Sequence, residues 1–294
     1  MAVSSEAPTP CQICGADTHA IGLRHGKYSG RDYHLRRCEG CRYAFVADPW
    51  TEFEQIYDDR YYAGRGADPL VDYEFELAEP ERTVRAYEWQ GIGQLIQELA
   101  GDRPHLRCLD FGAGNGGLVR YLNEHTQVNA EGFEDGSIAQ QARGMGLPIR
   151  SSADDLGGDY DVVTAIEVIE HVIDPLAELR RIRSLLRPGG LLLLTTGNAA
   201  PHAANLAAWS YVIPEIHVSF FEPSTLRLAL ERSGFRVGSM PAGGGFDDVL
   251  KFKVLKNLRV RRRSRITDLI PAWAVAELAE RRVRLRAHPI AWAS

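Results

Sequence analysis

Apolar residues change rhythm several times along this chain, and each change marks a predicted segment. Between residues 11 and 47 they alternate, with Ile21 and Leu23 before, and Tyr33 and Leu35 after, the glycines Gly26 and Gly30. That pattern predicts a hairpin. Residues 48–105 hold an aromatic, acidic stretch (Trp50, Phe53, Tyr57, Tyr61, Tyr62), an aromatic linker that leads into a helical cap. The helix starts near Pro80 and places Val84, Tyr87, Ile92, Leu95, Ile96 and Leu99 on one side.

Residues 106–255 alternate short apolar runs with amphipathic stretches. The runs predict strands at Leu106–Phe111, Val128–Phe133, Asp161–Ile166, Leu191–Thr196 and Phe252–Leu255. One helix has Asp174 at its N-cap, Pro175 in its first turn and Pro188-Gly189-Gly190 as its stop. Another runs from Pro223 to Ser233, with Gly234 closing it. Such alternation predicts a doubly wound α/β sheet. Residues 1–10 read as a flexible tail, and residues 256–294 as a basic helical extension around Arg259, Arg261, Arg262, Arg263 and Arg265.

Bulk composition narrows the classes. Apolar residues make up 45% and charged residues 25%, ordinary for a globular chain. A net charge of −5 argues against a nucleic-acid partner. No apolar run reaches membrane-span length, and residues 1–10 lack a basic start and an apolar stretch. The expected location is therefore cytoplasmic.

Four of the five cysteines form two Cys-x-x-Cys pairs, Cys11/Cys14 and Cys38/Cys41, with 23 residues between the pairs. Each pair can place two thiolates on one tight turn, and the hairpin can bring the turns together. Four thiolates complete tetrahedral zinc with no open position, so the predicted site is structural, a zinc-ribbon module. Cys108 lies inside a predicted strand as a small buried apolar residue.

The most specific signal is Leu109-Asp110-Phe111-Gly112-Ala113-Gly114-Asn115-Gly116-Gly117. An apolar run breaks into a glycine loop, the composition of a strand turning into a helix around a ligand. Gly112-x-Gly114-x-x-Gly117 also fits a dinucleotide fingerprint, with Glu134 where a ribose-binding acid belongs. By itself the loop leaves a nicotinamide and another adenosine-containing cofactor both open.

Asp110-x-Gly112-x-Gly114-x-Gly116 resembles the first motif of class I S-adenosylmethionine-dependent methyltransferases. Gly132-Phe133-Glu134, Tyr160-Asp161-Val162-Val163, Glu167-Val168-Ile169-Glu170-His171-Val172, Leu186-Arg187-Pro188-Gly189-Gly190-Leu191 and Thr195-Thr196-Gly197-Asn198 follow in the family's order. The resemblance covers residues 106–238 and implies a seven-stranded Rossmann-like sheet with S-adenosylmethionine as cofactor. It implies cofactor contacts at Asp110, Gly112, Ala113, Gly114, Glu134, Ser152, Ala153, Glu167 and Tyr62, with Asp154 as a second candidate beside Ser152. A carboxylate such as Glu134 can accept from both ribose hydroxyls.

Methyl transfer to oxygen or carbon also needs a base near the acceptor. His217 falls after the strand Leu191–Thr196 and before the next helix, on the rim where open α/β sheets bind ligands. It resembles a histidine of many sugar methyltransferases. Glu170 and His171 either shape the acceptor pocket or cap the next helix. Tyr57, Tyr61 and Tyr62 either close over the cofactor or pack between domains. A zinc module ahead of this domain is similar to bacterial sugar and natural-product methyltransferases. It implies a small-molecule acceptor, a sugar or nucleotide-linked sugar, with oxygen favoured over carbon. The alternatives are an RNA base methyltransferase, supported by the arginine cluster alone, and a non-catalytic zinc-dependent interaction protein.

Overall fold

The predicted hairpin forms. In the computed structural model, Thr18–His25 (β1) pairs antiparallel with Asp32–Cys38 (β2), and Ala44–Val46 (β3) adds a third strand. The structure describes residues 9–52, 55–57, 59–63, 65, 72–101, 103–239, 243–283 and 289–293. Residues 1–8 of the expected tail, together with Phe53 and Asp58, lie outside the described residues. Asp59–Tyr62 (α1), Tyr73–Ala78 (α2) and Arg85–Ala100 (α3) follow. The helix read from Pro80 becomes α-helical only at Arg85, because Pro80–Arg82 make a separate 3₁₀ turn.

The main sheet is built by Arg107–Phe111 (β4), Gly117–His125 (α4), Asn129–Phe133 (β5), Ile138–Gly144 (α5), Ile149–Arg150 (β6), Tyr160–Ile166 (β7), Pro175–Leu185 (α6) and Leu186–Thr195 (β8). Its five strands run parallel in the order β8-β7-β4-β5-β6. Leu109, Val163 and Leu192 at their centres are fully buried, as a sheet covered on both faces requires. Asp174 caps α6 as read, accepting from the Ala177 N–H at 3.0 Å.

After β8 the chain leaves this sheet. Ser219–Phe220 (β9) pairs antiparallel with β3 and completes a four-stranded sheet β1-β2-β3-β9. Segments 11–47 and 106–255 are therefore joined through a shared sheet. Then come Pro223–Arg232 (α7), Phe235–Ser239 (β10), Gly245–Asn257 (α8), Arg265–Leu269 (α9), Ala272–Val283 (α10) and Pro289–Ala293 (β11). Strand β11 lies antiparallel to both β8 and β10 and extends the sheet edge. The C-terminal stretch read as helical thus supplies a strand as well.

Phe252–Leu255, expected as a strand, lies within α8. A four-residue apolar run cannot separate the two periods. The wider spacing Phe246, Val249, Leu250 is helical, and all three are buried beside Ile92 and Leu95 of α3. Gly91 and Gly245 let the two helices approach closely. A Cβ on either would collide with the carbonyl of the other.

Beneath this contact runs a chain of buried and half-buried charges. Arg85 pairs with Glu76 at 2.8 Å and with Glu88 at 2.9 Å. Lys253 of α8 pairs with Glu88 and with Glu167, each at 3.0 Å. The series joins α2, α3, α8 and the end of β7. Breaking a buried pair from one side leaves uncompensated charge and costs about 3–5 kcal/mol. Arg85→Met takes the paired cation from buried Glu76 and leaves Glu88 with Lys253 alone, so urea unfolding should show a loss of that size. A change under about 1 kcal/mol, the worth of an exposed pair, would contradict this account.

Candidate functional site

Three elements meet at the C-terminal ends of β4, β5 and β7. The first is the glycine loop. Gly112, Gly114 and Gly116 have φ of +79°, +53° and +75°. The N–H groups of Gly112 and Ala113 both donate to the Phe133 carbonyl at 2.9 Å. A Cβ on Gly112 would meet Val168 Cγ2 at 2.6 Å, so the loop packs against the segment after β7. Asn115 ties it down, accepting from the Gly117 N–H at 3.0 Å and donating to the Tyr73 carbonyl at 3.1 Å.

Two carboxylates flank the loop. Asp110 is buried near the end of β4 and accepts from the Thr164 hydroxyl of β7 at 2.7 Å. Burial pushes its pKa up to about 7, against the opposing pull of that bond. Glu134 follows β5. It accepts from the Gly114 N–H at 3.0 Å and from the Gly136 N–H at 2.8 Å, and burial raises its pKa despite both bonds. The Tyr62 hydroxyl stands beside it. A Cβ on Gly136 would lie 2.5 Å from that hydroxyl and 2.8 Å from Glu134 Oε1. Ser152 and Ala153 begin a 3₁₀ turn after β6, half-buried. The Ser152 hydroxyl accepts from the Asp154 N–H at 3.2 Å, and Asp154 is exposed.

The segment after β7 is the second element. Glu167 has a left-handed φ of +56°. Burial alone would raise its pKa, but Lys253 and Lys256 outweigh it and hold the carboxyl below its ordinary range. Glu170 is fully buried and accepts from the Thr196 hydroxyl at 2.8 Å and from the Tyr211 hydroxyl. Burial and the Glu167 charge push its pKa up to about 8. His171 Nδ1 lies 3.0 Å from the Tyr57 hydroxyl, and burial, helped by His217, drives its pKa down to about 3.

The third element is the loop before β9. His217 is 6% exposed. Its N–H donates to the Ile213 carbonyl at 2.8 Å, and its Nδ1 lies 2.6 Å from the Tyr211 carbonyl. A carbonyl can only accept, so the ring proton sits on Nδ1 and the basic lone pair on Nε2. The Tyr211 ring stacks on His217 at 4.2 Å, and His171 meets it edge-on at 4.8 Å. Ligand atoms of Glu170, His171 and His217 lie within 4.8 Å of one another. His202 lies at the outer end of a stack through Trp209 (4.5 Å) and Tyr211 (4.7 Å).

Thr164, Tyr211 and Lys253 join this site without a role read from the sequence, and Thr196 joins it from the Thr195–Asn198 motif. Lys253 was hidden in the run read as a strand. Tyr211 lies in a stretch without period, where the density of aromatic residues was the one available signal.

The four cysteines converge elsewhere. Cys11 and Cys41 sulfurs are 3.6 Å apart, Cys14 and Cys38 sulfurs 3.3 Å, and all four lie within 4.8 Å. A tetrahedral thiolate site with bonds of about 2.3 Å needs sulfur separations of about 3.8 Å. Backbone N–H groups of Ile13 and Cys41 point at Cys11 and Cys38 sulfurs, at 3.4 and 3.3 Å. No disulfide joins any of these cysteines. Cys108 is buried in β4, where burial raises its thiol pKa.

Among the described residues, no helix is long and apolar enough to cross a membrane. A family model described as a methyltransferase domain matches residues 83–239, more than half of the chain. The ubiquinone biosynthesis O-methyltransferase of Xanthomonas campestris pv. campestris (strain B100) is 50% identical over 169 residues, which is 53% of this chain and 67% of that relative. The enzyme of the same description from Bordetella avium (strain 197N) is 29% identical over 165 residues, 49% of this chain and 68% of that relative. Among solved structures, a Haloferax volcanii methyltransferase in complex with its Trm112 activator is 17% identical. It aligns with a TM-score of 0.46, over 75% of this chain and 96% of that one. That likeness is too distant to bear on function. The family match and the ordered motifs agree: the chain belongs to the methyltransferase domain family and is a class I S-adenosylmethionine-dependent methyltransferase.

Proposed function

We propose that this enzyme methylates a hydroxyl oxygen of a small molecule, with His217 as the general base. The observation that carries the reading is the fixed His217 tautomer, which puts the basic lone pair on Nε2. An acceptor that must lose a proton is served by a base pre-set in this way. His171 is the weaker candidate. A pKa of about 3 makes it a poor proton acceptor, and we assign it, with Glu170, to the wall of the acceptor pocket.

S-adenosylmethionine supplies the electrophilic methyl group when bound. The donor and acceptor set around the glycine loop fits it. Glu134 trades its two backbone donors for the ribose hydroxyls. The Gly114 N–H released by Glu134 meets its carboxylate end, while Gly112 and Ala113, held on the Phe133 carbonyl, border it as the loop's wall, and Asp110 faces its ammonium. Ser152 and Ala153 border the adenine, Tyr62 closes over Glu134, and an ionised Glu167 favours a cationic ligand. The four thiolates hold a structural zinc ion, since no position of that tetrahedron is left open for chemistry.

The family resemblance points to a sugar or nucleotide-linked sugar as acceptor. The names of the relatives favour a second class, a hydroxyl on a ubiquinone-type precursor. Release of S-adenosylhomocysteine against panels of both classes decides between them. An RNA acceptor is disfavoured, because three of the five clustered C-terminal arginines are engaged within the chain. Arg261 pairs with Asp72 at 3.2 Å, Arg262 lies 4.9 Å from the Phe75 ring, and Arg263 pairs with Asp268 at 2.6 Å.

His217→Ala should lower kcat by about 10²-fold or more while cofactor affinity holds. Unchanged turnover with the best acceptor would remove His217 from the role. Cofactor affinity should also depend on pH. Asp110 titrates near 7 without ligand, and a cationic ligand needs it ionised. Each unit of pH below that value should cost about tenfold in affinity by calorimetry, a slope that Asp110→Asn abolishes. A flat profile in the parent enzyme would contradict the Asp110 contact. Cys38→Ser should lower zinc content below one per chain by atomic absorption; retention of a full equivalent would refute the four-thiolate site.

A further inference from the structure

Glu215 lies two residues before His217 and is fully buried. Its Oε1 accepts three hydrogen bonds from the tip of the β1–β2 hairpin. They come from the Tyr28 N–H at 3.0 Å, the Ser29 N–H at 3.1 Å and the Ser29 hydroxyl at 3.1 Å. The Tyr33 hydroxyl donates in turn to Ser29 Oγ at 3.0 Å. Gly26 leaves the room this requires, since a Cβ there would collide with Glu215 Oε1. Glu215 Oε2 is buried with no hydrogen-bond partner among the described residues, and the hairpin holds the carboxylate by its other oxygen.

The same module grips the loop at two further points. Arg24 of β1 donates to the Val212 carbonyl at 3.0 Å and to the Ala207 carbonyl at 2.8 Å. Just beyond His217, β9 pairs with β3. Tyr211, whose carbonyl fixes the His217 tautomer, sits between these holds.

We propose that Glu215 is a positioning residue for His217: the hairpin tip anchors its carboxylate, and that anchor fixes the 211–217 loop that aims the imidazole at the acceptor. The proposal rests on the reading of His217 as base. A misplacement of about 1 Å in a reacting group can cost about 10²-fold in rate. Three charge-assisted bonds at one oxygen supply the needed stiffness.

The test uses the full-length, zinc-loaded chain with Glu215→Ala, Glu215→Gln and Gly26→Ala. For each, kcat, KM, cofactor affinity and the ¹⁵N resonances of the His217 ring are measured. Glu215→Ala and Gly26→Ala should lower kcat by about 10²-fold, leave cofactor affinity unchanged and shift the His217 resonances. Glu215→Gln keeps an oxygen for the same donors and should recover most of the turnover. A folded Glu215→Ala with parental kcat and unmoved His217 resonances overturns the proposal. So does an equal loss of turnover and cofactor affinity, which would mark general damage. Should Glu215→Ala not fold, Gly26→Ala, changed on the hairpin side, decides by the same criteria. Should His217→Ala leave turnover intact, the base assignment falls alone, and the ring resonances still judge whether Glu215 positions it.

Discussion

Five charges of alternating sign, two of them buried and three half-buried, hold the working end of this protein together: Glu76, Arg85, Glu88, Lys253 and Glu167. They belong to α2, α3, α8 and the segment after β7, elements distant in sequence that share no strand pairing. Each charge removed from water costs several kcal/mol unless its partner is in place. The elements are therefore stable only in the arrangement that closes every pair. The chain reaches both halves of the site. At one end Asn115 of the glycine loop donates to Glu76 at 3.4 Å. At the other, the Tyr211 hydroxyl lies 3.4 Å from Glu167 and also donates to Glu170. The glycine loop and the Glu170–Tyr211 cluster are thus held in register by electrostatics, beneath a rim made of loops.

The second constraint comes from the cysteine module. A short hairpin buries little apolar surface and is marginal by itself. Here its strands gain a partner in β9 and a packed face in Tyr33 and Leu35, which cluster with Ala199, Leu206, Val212 and Phe220. The exchange works both ways. The segment after β8, lacking a regular element of its own, takes its shape from the hairpin through Arg24 and the β3–β9 pairing. A metal site at the base of the hairpin would stiffen a support that ends at the loop carrying His217.

Local signals in the sequence reached the elements whose shape is locally decided. The glycine loop, the Asp174 cap and the buried strands β4, β5, β7 and β8 were legible because turn chemistry and apolar runs act over a few residues. Helix α8 was misread at Phe252–Leu255, where a short run hides its period and the partner helix α3 settles the matter from far away. The joined sheet was not legible, since Ser219–Phe220 is two residues long and its pairing with Ala44–Phe45 spans most of the chain. The acids and glycines of the loop were visible by type and spacing. Lys253 and Tyr211 were not, because a lone lysine or tyrosine carries no pattern and gains its meaning from what the fold places opposite.

The two histidines at the rim show how environment divides roles between identical groups. His171 and His217 are 4.8 Å apart and both are buried or nearly so. Burial, and then the second imidazole facing it, disfavour the protonated form of His171, and the opposing pull of the Glu167 charge and the Ile216 backbone bond does not overcome them. His217 donates through Nδ1 to a main-chain carbonyl, a bond that strengthens as the ring gains positive charge. Two carboxylates complete the contrast. Glu170, raised to about 8, is held protonated at neutral pH, while Glu167 is held ionised by Lys253. The Glu167 charge acts on both rings, so burial is what separates them: it keeps His171 neutral despite that charge, and this is why the proposed base role falls to His217.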